Sequence, residues 1–209
     1  MTDPALNNLL KWGLENSSAT RAAATDDQPA PQTQLSADAV RALFGGKSDA
    51  QLMLEAMDAV ESDEVDLENK LIAFDNFEQL VEGIDNANNL ENLGLWTRLV
   101  DQMAHEEPEI RMYAAWCAGI AVQNNIKSQE RLLILGAIPT LINLATQDKD
   151  KSVRKKAILA LSSTVRNYQP ALDETVAKVP AEFKPEGKLD AEDMASVDSL
   201  INKLRENVK

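Results

Sequence analysis

LENKLIAFDNFEQLVEGIDNANN, residues 67–89, is the stretch that decides the fold. Leu67, Leu71, Phe74, Leu80 and Ile84 fall along one helical stripe, and Ile72, Phe77 and Val81 widen it. An Asn-rich break then ends the helix. An apolar surface this wide needs neighbours on more than one side, and the chain supplies them by repeating itself. IRMYAAWCAGIAVQNN opens at Ile110, 43 residues further on, and VRKKAILALSSTVRNY opens at Val153, a further 43. These two copies share a β-branched residue followed by Arg (Arg111, Arg154), then Ala114 and Ala157, Val122 and Val165, Asn124 and Asn167. Between the long helices lies a second matching piece. Gly94-Leu95-Trp96-Thr97-Arg98-Leu99-Val100 stands 42 residues before Gly136-Ala137-Ile138-Pro139-Thr140-Leu141-Ile142.

A helical period of about 40–47 residues is that of armadillo and HEAT solenoids. The Gly-Ala-Ile-Pro-x-Leu-Ile run followed by Val-Arg-x-x-Ala-x-x-Ala-Leu-Ser is armadillo-like. The expected fold is all-α, an armadillo-like right-handed α-solenoid of about three repeats, near 67–109, 110–152 and 153–179. Helical caps are expected at both ends. At the front these are ADAVRALF after Ser36, stopped by Gly45-Gly46, and a helix over 51–60 capped by Asp49. At the back, Asp190 is expected to cap a last helix over 190–207, with Met194, Val197, Leu200, Ile201 and Leu204 on one face. Residues 1–34 read as a flexible N-terminal segment. A short amphipathic helix over 4–16 is followed by SSATRAAATDDQPAPQTQ, which is too small and polar to pack. The helical domain then spans 35–209.

The 209 residues are 44% hydrophobic, enough to build a core, and carry a formal net charge of −13. That charge argues against nucleic acid and anionic membranes as partners, and suits a basic or mixed-charge protein. Cys117 is the single cysteine, so no internal disulfide forms, which fits a reducing compartment. The N-terminal MTDPALNNLLKWGLENSS has no basic n-region, and no run approaches the ~20 apolar residues of a membrane span. A cytoplasmic location is expected.

No pattern in the chain carries catalysis, a cofactor or a metal. The single histidine, His105, sits beside Glu106-Glu107 at the polar end of a helix, and one His with one Cys makes no zinc site. Gly45-Gly46-Lys47-Ser48 resembles the tail of a phosphate loop, but the leading glycine would be Arg41 and a helix precedes it. The basic run Lys149–Lys156 reads as the solvated start of a helix. Trp96 and Trp116 occupy positions expected in the core, and Cys117 reads as a small buried hydrophobe. Stacked repeats instead offer an extended inner surface lined by the long helices that begin near 67, 110 and 153. Polar groups recur at the ends of those helices: Glu82 with Asn86 and Asn89, then Gln123-Asn124-Asn125, then Arg166-Asn167. They form either a strip of hydrogen-bonding groups or ordinary helix caps.

LENKLIAFDNFEQLVEGIDNANNLENLGLW (67–96), AVQNN (121–125) and VRKKAILALSSTVRNYQP (153–170) closely resemble the Fes family of armadillo-type nucleotide exchange factors for heat-shock-70 chaperones. LLKWGLENS (9–17) and LFGG (43–46) match the same family, and the early end resembles its filamentous-fungal short form. The resemblance implies a protein that is not an enzyme and uses no cofactor. Such a protein grips one lobe of the nucleotide-binding domain of a cytosolic chaperone and accelerates ADP release. A monomer is the default expectation, and the net charge already argues against nucleic acid and membrane. The resemblance further implies a client-release segment at Leu9-Leu10-Lys11-Trp12, which would reach the chaperone's substrate-binding domain. The partner contacts it implies centre on the Asn86-Ala87-Asn88-Asn89 turn, where a small Ala87 admits close approach, with Glu82, Gln123, Asn124, Asn125, Arg166 and Asn167 nearby. The alternative is an armadillo adaptor for extended peptides. It would need Asn where this chain has Phe77, Ile120 and Ser163.

Overall fold

The computed structural model describes residues 47–208, and the described helices lie in the unit Asp49–Lys209. Ten α-helices follow one another without a strand among the described residues. They are α1 (Asp49–Glu61), α2 (Leu67–Val81), α3 (Ile84–Asn89), α4 (Leu95–Asp101), α5 (Pro108–Ala121), α6 (Ile126–Ile134), α7 (Ala137–Gln147), α8 (Lys151–Val165), α9 (Gln169–Lys178) and α10 (Met194–Glu206). This order of short, middle and long helices fits an armadillo-like solenoid. The features expected in 1–46, including the front helix after Ser36 and the Gly45-Gly46 stop, lie outside the described residues.

The chain stops and restarts where its chemistry requires. Asp66 accepts a hydrogen bond from the Asn69 N–H at 2.9 Å to start α2, and Asp150 accepts from Ser152 at 2.7 Å to start α8. Pro108 occupies the first turn of α5, where a missing N–H costs nothing. The 42-residue recurrence reappears as geometry. Gly94 and Gly136 both take a left-handed φ, 66° and 67°, and so end one helix and begin the next. Asn124 and Asn167, 43 apart, are the non-glycine residues with positive φ among the described residues, at 52° and 56°. Arg111 donates through Nη1 to the carbonyls of His105 (2.8 Å) and Glu106 (2.7 Å), and Arg154 does the same to Asp148 (2.6 Å) and Lys149 (3.2 Å). Each arginine thus satisfies the orphan carbonyls between its own helix and the one before.

Asp148 ties α5 to the start of α8. Its carboxylate takes a two-pronged hydrogen bond from Arg111, at 2.7 and 3.0 Å, while its carbonyl takes Arg154. Burial works against the Asp148 carboxylate, but Arg111 and the Asp150 N–H outweigh it and hold its pKa below the ordinary value. The core runs continuously through the stack, with Phe74, Phe77, Trp96, Leu99, Ile110, Ile138, Leu161 and Leu200 shut off from solvent. At its tightest point α5 crosses α8 at Gly119. A Cβ there would stand 2.8 Å from the Ala160 Cα, so only glycine fits.

Several sequence expectations are corrected. The Asn-rich break is itself a helix, α3, because Gly83 in extended conformation restarts the chain before Ile84. Ile72 and Ile84 do not join the apolar face; they are 54% and 59% exposed, while Glu78 is buried at 7%. The last helix begins at Met194, capped by Asp193 rather than Asp190. Asp190 instead folds its carboxylate back to the Glu192 N–H at 2.9 Å. Trp96 is core, as its position suggests, but Trp116 is only half-buried.

Candidate functional site

Two neighbouring surfaces carry the unusual chemistry. The first is the face of the long helices α2, α5 and α8, where a ladder of side chains crosses three elements. The Tyr113 hydroxyl donates to Asp75 Oδ1 at 3.3 Å. The Tyr113 ring stacks on Phe74, with centroids 5.8 Å apart, and on Trp116 at 5.6 Å. The Lys156 ammonium sits 3.1 Å from the centroid of the Trp116 ring. Asp75 and Phe74 come from α2, Tyr113 and Trp116 from α5, and Lys156 from α8. The ladder fixes Tyr113, Trp116 and Lys156 in half-buried positions, the usual state of a rigid contact surface.

Electrostatics follow from that partial burial. Desolvation, followed by the Asp75 charge and hydrogen bond, holds the Tyr113 phenol above its ordinary pKa. Lys156 is pushed down by burial, against the opposing pull of Glu78. Glu78 is pushed up, first by burial and then by the Glu82 and Asp75 charges. Beneath them the Cys117 thiol is wholly enclosed, and desolvation drives its pKa well above the ordinary value. It is therefore no nucleophile.

The second surface is the edge formed by α3, α4 and α6. A hollow of about 260 Å³ opens there, with Ala87, Asn88, Trp96, Lys127, Arg131 and Ile134 among its walls. Ala87 is only 2% exposed, so its methyl is a wall of the hollow rather than a projecting contact. Beside it the Asn88 Oδ1 is buried with no hydrogen-bond partner among the described residues. A buried acceptor without a donor is costly, by about 1–3 kcal/mol, unless a partner supplies one. Arg131 pairs with Glu91 at the rim, and Ile134 projects into solvent.

The sequence-predicted contacts divide into two groups. Asn86 spends its amide on Asp49 (2.8 Å) and the Leu80 carbonyl (2.9 Å), tying α3 to α1 and the end of α2. Asn125 is buried and caps α6, bonding Ser128 Oγ at 2.9 Å and the Ala121 carbonyl at 3.3 Å. Arg166 is held by Ser162 Oγ at 3.2 Å and by Asp198 of α10. For these three, capping and bracing account for the side chain. Asn89 accepts from Asn92 at 3.2 Å and is half-exposed. Glu82, Gln123, Asn124 and Asn167 are exposed at helix ends. Ala87 and Asn88 are brought together in the hollow, whereas the Asn167 N–H turns to the Ala191 carbonyl at 2.9 Å. Leu9, Leu10, Lys11 and Trp12 lie outside the described residues.

Sequence reasoning missed Asp75, Tyr113 and Lys156 and misread Trp116. The signal available was the i, i+3 spacing of Tyr113 and Trp116 on one helix face. The adaptor positions offer no asparagine: Phe77 is fully buried, and Ile120 and Ser163 are half-buried. Among the described residues no group of three or more His, Cys, Asp or Glu is placed to hold a metal, and no helix is long and apolar enough to cross a membrane.

Comparison with known proteins places these surfaces in context. Residues 6–90 match the family model "Nucleotide exchange factor Fes1", and residues 86–178 match "SIL1/FES1/HPBP1 C-terminal domain". The Hsp70 nucleotide exchange factor FES1 of Gibberella zeae is 52% identical over 212 residues, covering 100% of this chain and 99% of the relative. The protein of the same name from Coccidioides immitis is 50% identical over 211 residues, covering 98% of each. Among solved structures, the crystal structure of an engineered protein aligns with a TM-score of 0.55 at 17% identity. It covers 82% of this chain and 66% of its own, a likeness of fold alone.

Proposed function

Since the chain belongs to the Fes1 family of nucleotide exchange factors, we propose that it binds the nucleotide-binding domain of a cytosolic Hsp70 chaperone as a monomer and accelerates loss of ADP. The observation that carries this reading is identity above 50% across essentially the full length of a relative named for that activity. The protein is a regulator and not an enzyme, and its place of work is the cytoplasm. Residues 1–34 act as a client-release segment through Leu9-Leu10-Lys11-Trp12, against the chaperone's substrate-binding domain.

The physical requirement is strict. A binding protein speeds nucleotide loss only if it prefers an open chaperone state to the closed, ADP-filled one. Linkage then obliges ADP to weaken the complex by the same factor. The α3–α6 edge is suited to this. Its hollow accepts one protruding group, and the orphan Asn88 oxygen rewards a donor placed only when the two surfaces register. Exposed Glu82, Gln123, Asn124 and Asn167 add polar contacts along the helix ends, and the Tyr113–Trp116–Lys156 ladder supplies a rigid aromatic anchor.

Stopped-flow release of a fluorescent ADP analogue from a cytosolic Hsp70 tests the reading. Faster release with the protein present, and a complex weakened by free ADP, are the expected results. Ala87→Arg fills the hollow from within and is expected to abolish acceleration while the helical spectrum is retained. No acceleration by the folded wild-type protein would overturn the exchange function. Wild-type acceleration by a folded Ala87→Arg variant would remove the edge from the interface.

A further inference from the structure

A separate hollow of about 350 Å³ lies between the face of α8 and the last turn of α10, lined by Lys151, Lys155, Ile158, Leu159, Arg205 and Val208. It shares no lining residue with the α3–α6 edge. Its floor is aliphatic: Ile158 and Val208 are buried, while Leu159 is 41% exposed. Lys151, Lys155 and Arg205 bring three cations to its rim, and among the described lining residues there is no acidic side chain. That runs against the chain's average, which has 34 acidic residues to 21 basic. Arg205 makes its hydrogen bond to a neutral amide, Asn202 Oδ1, at 3.1 Å. Lys155 forms no ion pair among the described residues.

We propose that this hollow is a docking site for an acidic linear peptide of a partner protein. One bulky apolar side chain rests on the Ile158–Leu159–Val208 floor, and carboxylates on either side meet Lys155 and Arg205. The volume suits one or two side chains. The aliphatic floor distinguishes the ligand from a bare anion, which would leave that floor wet. The net charge of −13 would repel a polyanion such as RNA from the molecule as a whole, whereas a short peptide meets only the local field. It shares no lining residue with the α3–α6 edge or the Tyr113–Trp116–Lys156 ladder, so peptide binding and ADP release are read as separate measurements.

Fluorescence anisotropy with the full chain tests it. The probe is a fluorescein-labelled peptide, Gly-Asp-Glu-Leu-Phe-Glu-Asp-Gly, with two controls. One control replaces the acids by their amides, and the other replaces Leu-Phe by Ser-Ser. Both controls are expected to bind at least about tenfold more weakly, and the acidic peptide is expected to lose affinity as salt rises. Lys155→Glu combined with Arg205→Glu, both at exposed positions, is expected to weaken it at least about tenfold. Should that pair of changes disturb folding, Lys155→Gln with Arg205→Gln carries the same expectation. Equal binding of the acidic and amide peptides would overturn the proposal, and so would undiminished binding by the folded variants. A Ser-Ser control that binds as well as the probe and is displaced by inorganic phosphate would reduce the hollow to an anion site and overturn the peptide reading.

Discussion

Gly119 and Glu78 show how single residues bear the consequences of close packing. A methyl at position 119 meets the Ala160 backbone at 2.8 Å, and backbone cannot rotate away. Gly119→Ala is therefore expected to cost about 1–3 kcal/mol of stability, read as a lower urea midpoint with an unchanged slope. Glu78 acts through its proton. Its folded pKa is raised by burial, then by Glu82 and Asp75, so the native state binds a proton more readily than the unfolded chain. The stability that proton uptake contributes is fully present below the ordinary carboxylate value and is lost as pH climbs from there through the raised folded pKa. Glu78→Gln should flatten that part of the stability–pH profile, as measured by thermal melts across the range. The sequence placed Glu78 beside a wide apolar stripe but did not show its burial. One of the charges it meets, Lys156, comes from a helix far along the chain.

Individual helices were legible where local chemistry sets them and illegible where it does not. Asp66, Asp150 and Pro108 start their helices by local chemistry alone, two N-cap carboxylates and a first-turn proline. The Asn-rich turn after Gly83 was read as a break because asparagine favours turns. It is helical because Asn86 trades that freedom for bonds to Asp49 and Leu80, one of them 37 residues away. Between elements, the Arg111–Asp148 bridge ties α5 to the turn before α8. Asp148→Asn or Arg111→Ala is expected to cost about 2 kcal/mol, since each strands a largely buried partner. A double-mutant cycle should return a coupling above about 0.5 kcal/mol, the mark of a direct interaction. The 43-residue spacing of the two arginines predicted that they were equivalent; it gave no hint that Asp148 serves both.

For the molecule as a whole, the repeat and the family were readable because they are written in recurring residues. The contact surface was readable only in part. A linear sequence lists polar helix ends without showing which are spent internally, and so Asn86, Asn125 and Arg166 stood beside Asn88 as equals. It also hides ladders, because Asp75, Trp116 and Lys156 become neighbours only once three long helices are laid side by side. If that face meets the chaperone, Trp116→Ala is expected to weaken the complex at least about tenfold, the scale of an aromatic anchor. Lys156→Ala should do less, and neither should change the exchange mechanism. Isothermal titration with nucleotide-free Hsp70 measures both. Unchanged affinity in a folded Trp116→Ala protein would confine docking to the α3–α6 edge.

The enclosure of Cys117 makes the molecule its own stopwatch. The chain has no other thiol, and this one lies at zero exposure within α5, the helix whose Gly119 seals against α8. A thiol reagent can reach it only while the packing around α5 opens, so its labelling rate counts those openings. Anything that clasps α5 to its neighbours from outside must lengthen the interval between openings. The same sulfur, read with and without a bound partner, would therefore time the grip without adding a probe.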